Sequence, residues 1–237
     1  MIILGFESCA KIASVAVLDG DRILASYSID NGLTQSELLL PMAESMLSHL
    51  SLSFSDVDLL ATAVGPGSFT GVRIGVSLLK GLAFGKETPC VAVSAIEELA
   101  ENLAGLEGII VPCMDARRNQ VYNALFRSSH GEMTRLCDDR AISLDELCRE
   151  LADFDGENIY IVGDGYELAK RYLVGKGLKI CDTPPTLTGE NAVSVCRVAK
   201  RKYESGEALT DLEIAPTYLR VPQAERERLE RERAKEQ

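Results

Sequence analysis

Apolar residues recur in short runs at the start of the chain, separated by polar or glycine-containing turns. The runs at 2–6, 14–18 and 22–29 carry enough aliphatic and β-branched residues to predict three strands. Asp19-Gly20-Asp21 is expected to form the turn between the second and third strands. The chain is therefore predicted to open with a three-stranded β-meander.

The next apolar pattern has a helical period and begins with a capping signal. Thr34 and Glu37 have the spacing of a capping box, in which each residue satisfies a free backbone group at the start of a helix. The helix is expected to run to about Leu50, with a bend at Pro41, because proline removes one backbone donor.

The rest of the chain predicts a second meander and a repeat of the order β-β-β-α-β-α. Each half is expected to form a mixed sheet with helices packed on it, with a boundary near 105–108. The lobes are then 1–104 and 105–221, a charged tail follows at 222–237, and a closing helix from Thr188 or Asn191 to Glu204 can return to the first lobe. The other expected strands are 58–64, 90–93, 108–114, 120–127, 132–136 and 158–162, and the other expected helices are 70–84, 95–103, 144–151 and 166–173.

The charge distribution argues against direct binding of a nucleic-acid backbone. The 237 residues have a net charge of −11, with 46% hydrophobic residues, enough to bury a core. Residues 1–104 contain 5 basic and 12 acidic residues, and residues 105–221 contain 15 and 19. Because duplex affinity needs clustered lysines and arginines, we expect any nucleic-acid partner to be held mostly by something else.

The rare residues exclude several classes of protein. Seven cysteines are spread singly, which predicts reduced thiols in a cytoplasmic protein. His49 and His130 are the only histidines, so a clustered zinc site is not expected, and no G-x-S-x-G motif indicates a serine hydrolase. The chain has no apolar run of about 20 residues and no basic leader, so neither a membrane span nor a signal peptide is expected.

Two polar segments are candidates for a nucleotide or phosphate site. Glu7 and Ser8 end the first strand at a hairpin, and hairpins of this kind cradle phosphates in sugar kinases and actin-like ATPases. The glycine-rich loop supplies Gly65, Gly67 and Ser68 just before a helix, where free backbone amides attract anions. A polar hairpin tip and a tight strand-to-helix turn explain the same residues without a ligand.

A third candidate lies at the predicted hairpin of the second meander. Asp115 is followed closely by Arg117 and Arg118, mirroring the position of Glu7 in the first half. A carboxylate beside two arginines is compatible with a catalytic or phosphate site. A buried Asp–Arg brace between the lobes explains the same residues and is favoured on general grounds, but both interpretations stay open.

Two predicted helices carry more apolar surface than a single sheet can cover. The helix at 34–50 has two apolar stripes where one is sufficient, and the helix at 70–84 has small residues that allow close approach of another backbone. Either both surfaces are covered within this chain, or one is left for another protein. The stripes contain Leu38, Met42 and Met46, then Leu39, Ala43, Leu47 and Leu50, and the small face contains Gly71, Gly75, Gly81 and Ala83.

The longest motif of the chain resembles the signature of the TsaB (YeaZ) family. The motif is Gly65-Pro-Gly-Ser-Phe-Thr-Gly-Val-Arg-Ile-Gly75, followed by Lys80-Gly-Leu-Ala83. The resemblance implies the two-lobed α/β fold of sugar kinases, Hsp70 and actin (ASKHA), each lobe a mixed sheet with flanking helices. Further similar segments, in the family's order, are Ser36-Glu-Leu-Leu-Leu-Pro41, Asp115-Ala-Arg-Arg118, Val121-Tyr122, Gly163-Asp-Gly165 and Pro216-Thr-Tyr-Leu-Arg220.

The same resemblance implies a non-catalytic dimerisation subunit in the machinery that places threonylcarbamoyl on adenosine 37 of tRNA. Such a subunit pairs with the catalytic TsaD, helps recruit the ATPase TsaE, forms a homodimer when alone and meets tRNA only through the complex. TsaD has two metal-binding histidines, and the matching positions here are Ala95 and Leu99, whose side chains cannot coordinate a metal. The implied interface residues are Leu38, Leu39, Met42, Met46, Gly71, Arg73 and Gly75.

Other functions remain open for this sequence, and one of its residues departs from the family pattern. The chain could be a small-molecule kinase or carbamoyltransferase with Glu7 and Asp115 in its cleft, or a module that only self-associates. Gln35 stands where the family often has histidine. The sequence leaves open whether a nucleotide binds at the cleft or the partner interface.

Overall fold

A computed structural model describes residues 1–220 of the chain. It contains two sheets, each with helices packed on it, joined by the segment between residues 101 and 108. The charged tail predicted at 222–237 lies outside the described residues.

The first sheet is five-stranded and mixed, in the order β3-β2-β1-β4-β5. Strand β1 is central, because it pairs antiparallel with β2 and parallel with β4. The predicted meander and the predicted capping box at Thr34 and Glu37 are both confirmed. The elements of this lobe are β1 (Ile2–Glu7), β2 (Ala13–Asp19), β3 (Arg22–Ile29), α1 (Gln35–His49), β4 (Leu59–Ala63), α2 (Phe69–Ala83), β5 (Cys90–Val93) and α3 (Ala95–Glu101).

The second lobe is built around β6, which pairs antiparallel with β7 and β8 and parallel with β11. The strand expected at 132–136 is confirmed as β9, whereas the four-residue strand β10 was not predicted. The elements are β6 (Gly108–Asp115), β7 (Gln120–Asn123), β8 (Phe126–Ser129), β9 (Glu132–Arg135), β10 (Arg140–Ser143), α4 (Leu144–Leu151), β11 (Ile159–Val162), α5 (Tyr166–Gly175) and α6 (Ala192–Glu204).

The single strand expected at 120–127 is divided into β7 and β8. Both halves keep one register against β6, since Cys113 faces Asn123 and Ile110 faces Phe126. The break falls opposite Pro112, which has no backbone N–H to donate to the ladder. The Asn123 amide donates to the Pro112 carbonyl at 2.7 Å, so a side-chain hydrogen bond joins the strands at the break.

Helix α6 returns from the second lobe and packs on the first sheet. The side chain of Cys196 in α6 lies against Gly5 of β1, where an added Cβ would be 2.4 Å from the cysteine sulfur. Side chains alternate along a strand, so α6 covers the Gly5 face of β1. Helix α2 covers the opposite face, because its Gly75 lies against the side chains of Ser8 and Thr62.

A C-terminal strap, defined here as residues 209–220, runs back over both lobes. Leu209 and Cys90 exchange backbone hydrogen bonds at the edge of the first sheet, and Thr217 N donates to Val64 O at 2.7 Å. Arg220 then donates to the carbonyl of Ala116 in the second lobe at 2.8 Å. The strap therefore ties the lobes together beside the cleft between them.

The close approach of α2 to the first hairpin generates a stability prediction. An added Cβ at Gly71 would lie 1.9 Å from the Ser8 carbonyl oxygen, so Gly71→Ala forces the backbone apart. We expect it to lower the free energy of unfolding by at least about 1–3 kcal/mol, as overpacking does. Urea unfolding of the purified chain measures the change.

Gly81→Ala on the same helix is the matched control. Gly81 has no heavy atom within 4 Å of an added Cβ. Alanine there should raise stability by about 0.5–1 kcal/mol, because it removes the entropy cost of a helical glycine. Equal effects of the two substitutions would show that the tight contact at Gly71 has no energetic importance.

Candidate functional site

The glycine-rich loop and the first hairpin form one close-packed junction. The backbone N–H of Ser68 donates to the Cys9 carbonyl at 2.6 Å, and the Ser8 hydroxyl donates to the Gly71 carbonyl at 2.9 Å. Gly67 has a φ of +157°, and an added Cβ there would lie 2.3 Å from the Cys9 carbonyl oxygen. These contacts favour the turn interpretation of the loop, since its glycines admit a neighbouring backbone.

A cleft of about 590 Å³ lies between the lobes and beneath the strap. It brings together four residues proposed from sequence, and its lining also includes aromatic rings from the loop, the second lobe and the strap. Those four residues are Gly67, Ser68, Asp115 and Arg117, and the aromatic residues are Phe69, Tyr122 and Tyr218.

The cleft is lined by equal numbers of basic and acidic side chains. The cations are Lys11, Arg117 and Arg220, and the acids are Asp30, Asp115 and Asp164. Burial raises the pKa of Asp164, whereas its hydrogen bond from the Asp115 N–H acts in the opposite direction. This balance gives the cleft no strong preference for a polyanion.

Asp115 and the two arginines do not form the buried brace that was one sequence interpretation. The three side chains are exposed, and the Asp115 carboxylate accepts the backbone N–H of Arg117 at 2.7 Å. Arg117, Arg118 and Asn119 all have φ between +54° and +66°, a left-handed turn that directs Arg117 to the cleft. Arg118 is not among the cleft-lining residues.

Glu7, Ser8 and Gly65 are buried beneath the cleft and do not line it. Glu7 lies on the α6 face of β1, whereas the loop and α2 lie on the other face. Its Oε1 accepts the Cys9 N–H at 2.5 Å, and its Oε2 has no partner. The expectation that Glu7 stands in the cleft is therefore wrong, because strand alternation turns its side chain into the interior.

Glu7 belongs to a buried acid cluster, defined here as Glu7, Glu98 and Glu190. All three are at most 4% exposed, and each has one carboxylate oxygen without a partner. Glu98 accepts the Asn191 N–H at 2.6 Å and so links α3 to the start of α6. Within residues 1–220 no three histidine, cysteine or acidic side chains form a group that could hold a metal ion.

Burial dominates the protonation of this cluster. Loss of hydration raises the pKa of Glu7 to about 8 and that of Glu190 to about 7. Repulsion from Glu190 adds to the rise at Glu7, and repulsion from Asp164 and Asp30 adds to the rise at Glu190. The pKa of Glu98 is also raised, first by burial and then by the charge of Glu7. The cluster therefore retains protons near neutral pH.

Sequence reasoning missed Glu98 and Glu190. Glu98 lies between Ala95 and Leu99 on the buried side of α3, so the helical period of that segment could have indicated an inward-facing acid. Glu190 precedes the N-cap residue Asn191 in an irregular segment, and no periodic signal marks it. Ala95 and Leu99 themselves are fully buried in the core.

The outer faces of α1 and α2 form an apolar groove of about 570 Å³. Leu40 is 37% exposed at its edge, and Phe84, just past the end of α2, is 79% exposed. The groove is lined by Gln35, Ser36, Leu39, Leu40, Phe69, Thr70, Arg73, Ile74, Ser77 and Leu78. It is a surface that nothing in the described chain covers.

Most interface residues proposed from the apolar stripes are inside the chain. Leu39 and Met46 are fully buried, and Met42 is 6% exposed. Gly71 and Gly75 face Ser8, so they serve internal packing. Met42 and Met46 are not accessible to a partner, because α1 packs against β2, β3 and α2. Leu39 remains at the floor of the groove, Leu38 is half-buried, and Arg73 is exposed.

The arrangement of lobes, cleft and strap defines a class of protein. The solved structure of YeaZ from Pseudomonas aeruginosa matches with a TM-score of 0.76 at 25% identity, covering 92% of this chain and 99% of that chain. A ROK hexokinase from Thermus thermophilus matches with a TM-score of 0.50 at 11% identity over 87% of this chain and 100% of its own, which shows the fold alone. The chain has the two-lobed α/β ASKHA fold expected from the sequence.

The sequence comparisons then give the family. The family model for TsaD, tRNA N6-adenosine threonylcarbamoyltransferase, matches residues 34–213. The tRNA threonylcarbamoyladenosine biosynthesis protein TsaB of Haemophilus influenzae is 31% identical over 93% of this chain and 94% of its own length. The TsaB of Bacillus subtilis is 33% identical over 69% and 72%. This chain belongs to the TsaB family, as its glycine-rich motif predicted.

No helix within residues 1–220 is long and apolar enough to cross a membrane.

The acid cluster generates a prediction about pH. A carboxyl group with a raised pKa binds more protons in the folded chain than in the unfolded chain, where the pKa of glutamate is near 4.5. The free energy of unfolding should therefore fall as pH rises from about 4.5 to about 8, by up to ~1.4 kcal/mol per pH unit for each such group. Chemical unfolding at pH 5, 6.5 and 8 measures the slope.

Glu7→Gln should flatten that slope, because glutamine keeps the oxygen that accepts the Cys9 N–H but cannot ionise. Glu44→Gln, at an exposed position of α1, is the control and should leave the slope unchanged. A wild-type slope in the Glu7 variant would refute the protonated cluster.

Proposed function

We propose that this chain is the non-catalytic scaffold subunit of a complex that transfers a threonylcarbamoyl group to adenosine 37 of tRNA. It binds and stabilises a TsaD-like catalytic subunit through the outer face of α1 and α2, and an ATPase of the TsaE type joins the pair in the cytoplasm. The tRNA is held mainly by the other subunits. The observation that carries this proposal is the uncovered apolar groove in a chain of the TsaB family.

The groove has the composition of a protein contact. Its floor and edges are supplied by Leu39, Leu40, Ile74 and Leu78, and apolar cores with few charges are typical of interfaces. Exposed apolar residues also occur near the far end of α2, where Lys80 donates to the carbonyl of Leu212 and Leu212 is 83% exposed. Exposed apolar surface of this kind is typical of an interaction site.

The cleft supports a non-catalytic role. An enzyme of this fold with Glu7 as its acid would need that carboxylate to reach the substrate, but Glu7 is buried on the α6 side of β1. Asp115 is exposed and bonded only locally, and the histidine positions of the catalytic relative are occupied by buried Ala95 and Leu99. These features argue against the kinase or carbamoyltransferase alternative.

Depletion of the protein in cells tests its place in the pathway. We expect threonylcarbamoyladenosine to disappear from tRNA in nucleoside mass spectrometry, because the catalytic subunit loses its scaffold. Re-expression of the wild-type chain should restore the nucleoside. A normal level of the modified nucleoside after depletion would contradict the proposal.

Leu40→Asp tests the groove. A charge in the apolar contact should weaken binding of the catalytic subunit at least ~10-fold, because the carboxylate must be desolvated without a partner. Calorimetric titration of the two purified subunits measures the affinity.

Val174→Asp is the matched control, since Val174 is 50% exposed on α5 in the other lobe. It should bind like the wild type, and both variants should melt within a few degrees of it. Met46→Asp is unsuitable for this test because Met46 is fully buried and a charge there should unfold the chain. Equal affinities for Leu40→Asp and Val174→Asp would place the contact elsewhere.

A further inference from the structure

Arg73 is the only charged residue that lines the groove within the described chain. Its guanidinium lies 3.7 Å from the centre of the Phe69 ring and 5.8 Å from that of Tyr218. The Arg73 Nε donates to the Tyr218 hydroxyl at 2.8 Å. Two aromatic rings and one hydrogen bond therefore hold this exposed side chain in one orientation.

No acidic side chain of residues 1–220 forms an ion pair with Arg73, although the whole chain has a net charge of −11. By contrast, Arg127, Arg135, Arg140 and Arg201 each pair with a carboxylate. With Nε committed to Tyr218, the two terminal nitrogens of Arg73 remain as a fixed pair of donors. A guanidinium fork of this kind matches the two oxygens of a carboxylate.

We infer that Arg73 is the receptor for an aspartate or glutamate side chain of the catalytic subunit, presented from an apolar face that fills the groove. This inference rests on the proposed function and adds the chemistry of the partner surface. Because Arg73 is already ordered, little conformational entropy is lost when the pair forms. The apolar surroundings exclude water and strengthen the pair, as at interface hot spots.

A second copy of this chain fits the groove less well. In a symmetric dimer the same patch faces itself, and the groove residues include no acid that could meet Arg73. A nucleic-acid phosphate is also disfavoured, because residues 1–104 carry 12 acidic and only 5 basic residues. A different protein with a carboxylate is the occupant that satisfies both the charge and the apolar floor.

Titration of the purified catalytic subunit from the same organism into the full chain tests the inference. We expect Arg73→Met to bind about 10–100-fold more weakly, and Arg73→Lys to lie between it and the wild type because an ammonium cannot pair in bidentate fashion. Arg73→Glu should lose binding, and reversal of one acid on the partner to arginine should restore it. Arg171→Met, at an exposed position of α5, is the control and should bind like the wild type.

Tyr218→Phe separates charge from positioning. It removes the hydroxyl that holds Nε but leaves the charge and the ring, so a loss of about 2–5-fold is expected with the salt dependence of the wild type. Arg73→Met should instead bind with reduced salt dependence. Melting temperatures of all variants show whether the chain remains folded.

The outcomes distinguish the inference from the function on which it rests. If the wild-type chain does not bind the catalytic subunit, the proposed function fails and the inference fails with it. If the wild type binds but Arg73→Met and Arg73→Glu bind within twofold of it, the inference alone is wrong.

Three other occupants would each overturn it. The first is the tail of the same chain. If truncation after Arg220 makes the catalytic subunit bind more tightly, and Arg73→Met then causes no further change, Arg73 contacts the tail. Weakening of the homodimer in sedimentation, without weakening of the heterodimer, would assign it to a second copy. Loss of tRNA binding alone would assign it to RNA.

Discussion

The backbone at the end of β1 lies directly against the first turn of α2, and this contact sets the geometry of the first lobe. The Ser8 carbonyl occupies the space where any side chain at position 71 would begin, and the Ser68 N–H is bonded to the Cys9 carbonyl. Helix α2 can reach the sheet so closely only because Gly71 and Gly75 have no side chains. Its opposite face then lies beside α1, and the two helices create the outer groove.

The same strand end explains why the cleft lacks an acid from the first hairpin. Successive side chains alternate between the faces of β1, so Ser8 points to α2 while Glu7 points to α6. Ser8 supports the glycine junction, and the preceding residue, Glu7, is enclosed with Glu98 and Glu190. A carboxylate cannot serve both a buried cluster and an open cleft, so the hairpin contributes packing to this lobe and leaves the cleft walls to other segments.

Local signals predicted the elements of the fold well, whereas pairing and burial required the structure. The capping box at Thr34 and the meander follow from neighbouring residues alone. The break between β7 and β8 depends on Pro112 of a different strand, and a one-strand pattern cannot show it. The sequence shows two apolar stripes on α1, but periodicity does not tell which neighbour covers a stripe, so it assigns Met42 and Met46 to a partner although both are buried within the chain. The motif that identified the family is partly a packing motif, because its glycines lie against the first hairpin, and partly a groove motif, because Phe69, Thr70, Arg73 and Ile74 line the groove.

The groove and the cleft are not independent surfaces. Gln35 and Phe69 line both of them, and Gln35 is fixed from the cleft side because its amide donates to the Ala10 carbonyl at 2.9 Å. Tyr218 of the strap lines the cleft and bonds to Arg73 in the groove. A protein that covers the groove would therefore contact Gln35 and Phe69, two residues that also line the cleft. Since the strap continues to Arg220, one short segment of chain contacts both Arg73 in the groove and Ala116 in the second lobe. Gln35 lines both surfaces, so a shift of its side chain in the groove also alters the lining of the cleft.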